Sequence, residues 1–518
     1  MNRLSWLFML GLAGLAAMAP RAQGQASPYI GFVYPAGGQR GITTLIELGG
    51  QRLDGVHDAI VSGEGVQAKL VDYHPKLSNQ EMTLLRDQLK KLKPKKGEDP
   101  PQDWATRKII ANLEKRIEGW VNRPACSSLS DLAFVEVTMA PDAKPGARDI
   151  RLVTQSGVSN PLVFHVGQLP EFTRKAMKTS TYQVLGKEEL ALRKRPPEEA
   201  ENGVELPCII NGQVASGEVN RYRFEVHKGQ RLVISVNARE LIPYIADAVP
   251  GWFQPVIALF DADGKEVAFN DDYRFNPDPT IYYETPKDGE YVLAISDAIY
   301  RGREDFIYRI TVSERPFVTS TFPLGGQAGR LTKVAMRGWN LRRANLILPP
   351  ESAKKGVYLI TAEIGKPVSQ QTGANFVSNQ TPFALGTLPE SFDKEPNNDL
   401  AHAQRVRPPI IINGHINRPD DWDVFKVGRR AREAIVVEVQ ARRLDSPVDS
   451  FLKLTDAAGK VVAFNDDWDD LESGVNTHHA DSHLMVKVPA TGDYYIHLGD
   501  TARNGGVGYA YRLRISDP

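Results

Sequence analysis

A chain of 518 residues has room for roughly three or four domains of about 150 residues each. Its 42% hydrophobic and 24% charged residues are ordinary for a globular protein, and Lys+Arg and Asp+Glu stand at 63 each. With no net basic field to draw it to nucleic acid or an anionic membrane, a DNA-binding role is excluded from the candidates. The first residues read as a signal peptide spanning 1–26. Arg3 supplies the positive start, Leu4 to Met18 the apolar stretch, and Ala22 and Gly24, or Gly24 and Ala26, the small residues at cleavage spacing. An apolar run of about 15 residues falls short of the about 20 a membrane helix needs. The expectation is export, with no membrane span after signal cleavage; a retained N-terminal anchor is the alternative.

Residues 27–170 open on Pro35-Ala36-Gly37-Gly38, a turn that returns at Pro323-Leu324-Gly325-Gly326. Gly50 and Leu53 match Gly338 and Leu341 at the same offset, with alternating strands (Leu45, Glu47; Val334, Met336) before them. Both stretches also end alike, at Leu169-Pro170-Glu171 and Leu388-Pro389-Glu390. The period changes from Ser78 to Val121. Ser78-x-x-Glu81 is a capping box, and Met82, Leu85, Leu89 and Leu92 make one apolar stripe. Ile110, Leu113, Ile117 and Trp120 make another beyond a break at Lys93 to Pro101. This predicts a helical hairpin inserted at 78–121, packing on a sandwich or serving as a docking arm.

A linker is expected at 171–198, the charged stretch Lys187 to Glu201 marking it as exposed. A second kind of unit then occurs at 199–315 and again at 390–518, separated by a short module at 316–389. Ile209-Ile210-Asn211-Gly212 matches Ile411-Ile412-Asn413-Gly414, and Val267 to Asp272 matches Val462 to Asp467 without a change. Alternation at Tyr222, Phe224 and Val226, and at Ile435, Val437 and Val439, is that of half-buried strands. Many short alternating strands with regular turns predict a mainly β protein of tandem antiparallel β-sandwiches. In this reading Asn220 stands where Asp421 does, and Gln254 where Asp449 does.

The second repeat resembles the bacterial pre-peptidase C-terminal (PPC) domain, a jelly-roll-like sandwich related to the collagen-binding domains of clostridial collagenases. The residues that carry the likeness are Glu395-Pro396-Asn397-Asn398-Asp399, Asp421-Trp422-Asp423-Val424-Phe425, Asp449 to Leu454, Asn465-Asp466-Asp467, Asp481 to Leu484 and Gly492-Asp493-Tyr494-Tyr495. The Pro-x-Gly-Gly modules resemble, less closely, an immunoglobulin-like TIG fold, and arrays of the two kinds are similar to exported proteins of planctomycete-type bacteria. The PPC resemblance implies a domain often without catalysis of its own.

Calcium is the leading candidate ion, since Ca²⁺ takes six to eight oxygen ligands of the kind clustered Asp, Glu and Asn supply. The resemblance places it on the linker at Asp393, Glu395, Asn397 and Asn398, with Asp420 or Asp421 closing from the next loop. Asp449, Asp466, Asp467 and Asp481 would form a second set if the strand-end loops converge. In either place the acids have an alternative role as turn caps. His478, His479 and His483 read as a surface cluster in preference to a zinc site, for they lie in a loop without HExxH. Trp252-Phe253, Tyr282-Tyr283 and Trp468 are candidates either for ligand stacking or for packing. Cys126 and Cys208 lie in different modules, so a buried thiol competes with a disulfide. No nucleophile or phosphate-binding motif is present. The favoured expectation is a secreted binding or adhesion protein for extracellular protein or polysaccharide. A structural component of a secreted or cell-envelope assembly, and a hydrolase with an unrecognised site, remain as alternatives.

Overall fold

The computed structural model describes residues 27–94, 101–120, 126–176, 201–242, 253–364, 376–469 and 478–518. The signal peptide expected at 1–26, most of the linker and Trp252 lie outside these residues. Among the described residues no helix is long and apolar enough to cross a membrane. The chain divides into two compact units. The first runs to Val166 and also takes in Arg303–Ile307, and the second contains Gly167–Lys175 and Tyr308–Pro518 with most of what lies between.

In the first unit, Tyr29–Tyr34, Thr43–Gln51, Asp131–Met139 and Val66–His74 form one four-stranded sheet in that spatial order. Gly37–Gln39, Leu162–Gly167, Gly146–Thr154 and Asp58–Val61 form the other. Ile46, Leu48, Val135, Val137, Ile150, Leu152 and Phe164 meet in the core. Leu45 is 53% exposed, so it is Ile46 and Leu48 that carry the inward phase of their strand. The insertion forms helices Asn79–Leu92 and Trp104–Gly119. Ser78 Oγ accepts the Glu81 N–H while Glu81 Oε2 accepts the Ser78 N–H at 2.8 Å, and Asp103 caps the second helix through the Thr106 N–H at 2.7 Å. Met82 and Leu113 are buried.

The second unit contains two sandwiches of five strands on five, with the same strand order. In the first, Glu171–Thr173, Cys208–Gln213, Ile307–Ser313, Arg231–Asn237 and Thr280–Glu284 face Glu201–Gly203, Asn220–Val226, Gly289–Asp297, Pro255–Phe260 and Glu266–Asn270. In the second, Glu390–Phe392, Ile410–His415, Ala510–Ser516, Ala434–Gln440 and His483–Lys487 face Gln404–Arg405, Asp423–Arg429, Gly492–Asp500, Ser450–Asp456 and Val461–Asn465. These are the tandem, mainly antiparallel sandwiches expected from the sequence, and the leading strand of each sheet runs parallel to its neighbour. Glu171–Thr173 is therefore a strand of the first sandwich and not part of a linker. Three residues are too few for a period of two to register in the sequence.

Two repeats that lie apart in the sequence meet in space. Arg512, 1% exposed, is held by Glu390 of Leu-Pro-Glu and by Asn413 of Ile-Ile-Asn-Gly, with its Nη1 3.2 Å from Asn413 Oδ1. Arg309 repeats the arrangement with Glu171 and Asn211. The glycine after each Asn lies under a tyrosine ring: a Cβ on Gly414 would stand 2.3 Å from the Tyr511 hydroxyl, and one on Gly212 2.2 Å from that of Tyr308. The identical Val-Ala-Phe-Asn-Asp-Asp segments also have a structural use. Asn270 donates to the Thr280 carbonyl at 2.7 Å, and Asn465 accepts from the His483 N–H at 2.7 Å, so each Asn ties one sheet to the other.

Candidate functional site

Beyond Phe392 the chain is stitched across one end of the second sandwich. The Asp393 N–H donates to the Asn413 carbonyl (3.1 Å), the Lys394 N–H to Gln404 Oε1 (2.7 Å), and the Val424 N–H to the Asn397 carbonyl (2.8 Å). This path brings Glu395 against the loop that ends in Asp421 and the strand that begins with Asp423. One carboxylate oxygen from each of the three lies within 4.8 Å of the other two. Asp421 and Asp423 are buried, and Glu395 lies at the solvent edge.

Asn397, fully buried, points its side-chain amide into this group, 3.1 Å from both Asp423 Oδ1 and Glu395 Oε2. With its nitrogen inward it donates to both. With its oxygen inward it completes an all-oxygen cluster of the kind that suits a hard cation. Neighbouring donors fix the rest. Tyr511 donates to Asp423 Oδ2, Asn398 to Asp421 Oδ1, the Asn417 N–H to Asp421 Oδ2 at 2.9 Å, and the Asn417 amide to Glu395 Oε1 at 2.5 Å. Asp393 sits beside them, accepting from the His415 N–H at 3.3 Å.

Burial and crowding raise the proton affinity of Asp423 and Asp393. Desolvation pushes Asp423 well above the usual carboxylate range, reinforced by Asp393, Asp421 and Glu395 and opposed by the Tyr511 hydrogen bond. Asp393 is pushed up to about 6, again chiefly by desolvation. Protons or a cation would relieve the same repulsion. The donors are all oxygen, which fits a hard ion such as Ca²⁺ and not a metal that favours nitrogen or sulfur.

The structure thus gathers Asp393, Glu395, Asn397, Asn398 and Asp421 of the expected set and adds Asp423, which sequence reasoning did not include. Its signal was present, since Asp423 stands two residues from Asp421 at the start of a strand. Asp420 turns outward toward Arg503 at 3.5 Å.

The second expected set is not brought together. Asp481 accepts the Ala441 and Arg442 N–H groups (3.1 and 2.7 Å) and the Arg443 side chain (2.9 Å). Asp449 lies 3.8 Å from Arg442. Asp466 caps the Asp467 N–H at 3.1 Å, and both are exposed. Backbone capping occupies Asp481 and Asp466, and an ion pair occupies Asp449. Asp278 repeats the role of Asp481 in the first sandwich, at the N–H groups of Ala238 and Arg239.

Register corrects one correspondence between the copies. Asn220 pairs with Ile295 as Asp423 does with Leu498, so Asn220 replaces Asp423 and not Asp421. Gln254 stands at the position of Asp449, each donating its N–H to the aspartate at the end of the adjoining strand.

Most of the aromatic candidates are packed. Tyr282 stacks on Trp339 at 5.3 Å, Phe253 is buried, and Trp468 stacks on His483 at 4.8 Å. The side chains of His478 and His479 lie outside the described residues. Cys126 and Cys208 are free thiols, and burial pushes Cys208 up to about 12. A different aromatic row, which sequence reasoning missed, crosses the outer face of the second sandwich. Trp422 meets Phe451 edge-on at 5.9 Å, and Phe451 stacks with Phe464 at 6.2 Å. Phe464 is 65% exposed, and Gly499 provides the floor beneath Trp422.

No family model matches the chain. A probable subtilase-type serine protease of Deinococcus radiodurans is 33% identical over 107 residues, which is 20% of this chain and 14% of that protein. The chain thus corresponds to a small part of that relative's length. Among solved structures it is similar to the pre-peptidase C-terminal domain of a Bacillus anthracis collagenase, at 17% identity and a TM-score of 0.17 over 23% of this chain and 98% of that one. It is also similar to SGBP-B of a Bacteroides ovatus mixed-linkage glucan utilization locus, in complex with a mixed-linkage heptasaccharide, at 9% identity and a TM-score of 0.14 over 92% and 71% of the two chains. At such TM-scores neither likeness establishes a shared fold or ligand.

Proposed function

We propose that this chain is a secreted, non-catalytic binding protein whose second sandwich is stabilised by calcium and presents an aromatic face to extracellular polysaccharide or protein. The observation that carries the reading is the place of Trp422, between Asp421 and Asp423. The loop that would hold the ion also carries one end of the row Trp422, Phe451 and Phe464. Glu395, Asp421 and Asp423 would bind calcium, with Asn397 and Asp393 beside them, and the ion would offset their mutual repulsion. Flat aromatic faces suit the stacking of sugar rings or peptide side chains, and the Lys453 ammonium, 5.2 Å from the Trp422 ring, adds a polar flank. The first sandwich has Val219, Val256 and Phe269 at these positions, so the row belongs to the second copy alone.

The test is retention of the purified protein on immobilised polysaccharides and matrix proteins, with and without calcium. Binding lost in Trp422→Ala and Phe464→Ala supports the reading, and binding indifferent to both overturns it. Docking into an assembly through the helical hairpin is favoured by one observation, the exposure of Leu84 (61%) and Trp104 (68%). Loss of every interaction on deletion of residues 78–121 would select that role.

A further inference from the structure

The first sandwich places a different chemistry where the second gathers its acids. Arg174 follows the strand Glu171–Thr173 as Asp393 follows Glu390–Phe392, and the two positions make the same backbone bond. The Arg174 N–H donates to the Asn211 carbonyl at 2.9 Å, and the Asp393 N–H to that of Asn413 at 3.1 Å. An acid in one copy is thus a cation in the other.

The guanidinium does not escape to solvent. Arg174 is 3% exposed, its Nη1 donates to Asn202 Oδ1 at 2.7 Å, and its Cζ lies 5.9 Å from the centre of the Tyr222 ring. Asn202 holds the register position that Gln404 holds in the second copy, where Gln404 ties down the linker through the Lys394 N–H at 2.7 Å. In both sandwiches, then, this residue anchors the segment leading in. The partner at the other end is backbone in one copy and guanidinium in the other.

The surrounding groups change with it. Asn220 replaces Asp423, and its amide donates to the Tyr308 hydroxyl (2.9 Å) and the Gln213 carbonyl (2.9 Å). Tyr222 replaces Phe425, and its hydroxyl meets that of Tyr308 at 2.5 Å. Two negative charges of the second copy have become one neutral amide and one positive charge. A fixed, buried cation at this end of the sandwich, with a neutral amide in place of Asp423, repels a divalent ion and removes the carboxylate that would hold it.

We infer that Arg174 is a built-in substitute for the bound cation, so that calcium dependence is confined to the second sandwich while the first is locked without metal. This rests on the reading of the Glu395, Asp421 and Asp423 cluster as a calcium site. The consequence is directional: removing calcium would loosen the loop beside the aromatic row and leave the first sandwich unchanged.

The experiment uses the full chain after signal removal, stripped with EDTA and titrated with calcium chloride. Bound calcium is counted by elemental mass analysis, and unfolding is followed by calorimetry. One calcium per chain is expected, falling to none in Asp421→Asn/Asp423→Asn. Arg174→Met should lower the melting of one transition by several degrees, equally in EDTA and in calcium, without changing the calcium count. Two calcium ions in the wild type, one of them surviving in Asp421→Asn/Asp423→Asn, would overturn the inference while the second-sandwich site stood. So would an Arg174→Met protein that melts like the wild type. A wild type that binds no calcium would remove the underlying reading and this inference together.

Discussion

Arg512 grips Glu390 with two guanidinium nitrogens, Nη2 at 2.8 Å from Oε1 and Nη1 at 3.3 Å from Oε2, in a place where the arginine is almost without solvent. Arg309 grips Glu171 with both contacts at 2.6 Å. Each pair fastens the leading strand of its sandwich to the last. Losing one partner of such a pair leaves a buried charge uncompensated, a cost of about 3–5 kcal/mol. Glu390→Ala and Glu171→Ala should each destabilise the chain by that order in urea unfolding. A loss below about 1 kcal/mol, the value of an exposed pair, would show the charges to be solvated.

Gly414→Ala tests why the Asn-Gly pair occurs twice. Its Cβ would stand 2.3 Å from the Tyr511 hydroxyl oxygen, 2.4 Å from Cζ and 2.9 Å from Asp393 Cγ. The Tyr511 ring is fully buried and cannot swing aside. Overpacking of this kind costs about 1–3 kcal/mol. Tyr511→Phe should not rescue it, because the ring carbon remains in the way. An unchanged urea midpoint for Gly414→Ala would refute the contact.

Much of this architecture is legible in the sequence because strands announce themselves by period. Tyr222, Phe224 and Val226 point into the core as their alternation requires, and the Ser78 capping box begins a helix. The site was legible in part. Residues clustered in sequence, Glu395 to Asn398, carry a visible signal, and Asp421 lies in the loop after the strand Ile410–His415. Asp449, Asp466, Asp467 and Asp481 look the same on paper, yet they are not brought together, and Asp466 and Asp481 turn to backbone N–H groups instead. Composition cannot distinguish an aspartate that faces a backbone N–H from one that faces another acid. Trp422 was hidden for a related reason: only the pairing of Phe451 with Gly499 shows that the ring has a floor to lie on.

Acidity should reveal the crowded carboxyls. Asp393 is pushed up to about 6 and Asp423 well above the usual carboxylate range, both above their unfolded values. The folded state therefore holds protons that the unfolded chain has released, and without metal its stability falls as pH rises from about 4 through about 6. In EDTA this contribution makes the second sandwich more stable at pH 5 than at pH 7.5. Calcium competes with the same protons, so its stabilising effect on melting should be larger at pH 7.5. Asp421→Asn/Asp423→Asn should remove most of the calcium effect at both pH values, since a ligand stabilises only the state that binds it. A calcium effect larger at pH 5 would contradict the assignment.

Phe464→Ala separates binding from stability. The ring is 65% exposed and stacks on Phe451 at the edge of its sheet, so truncation removes little buried area. Surface changes of this sort usually stay within about 0.5 kcal/mol of the parent, and the melting temperature should scarcely move. Truncating an aromatic anchor costs a ligand about 2 kcal/mol or more, and about 1.4 kcal/mol is tenfold, so retention on the bound polymer should fall by roughly ten-fold or more. Phe269→Ala, at the equivalent position of the first sandwich, supplies the internal control. Its row lacks the tryptophan and the second phenylalanine, so it should leave retention unchanged. Equal losses from both variants would place the ligand on a feature common to the two copies, and the face built around Trp422 would lose its claim.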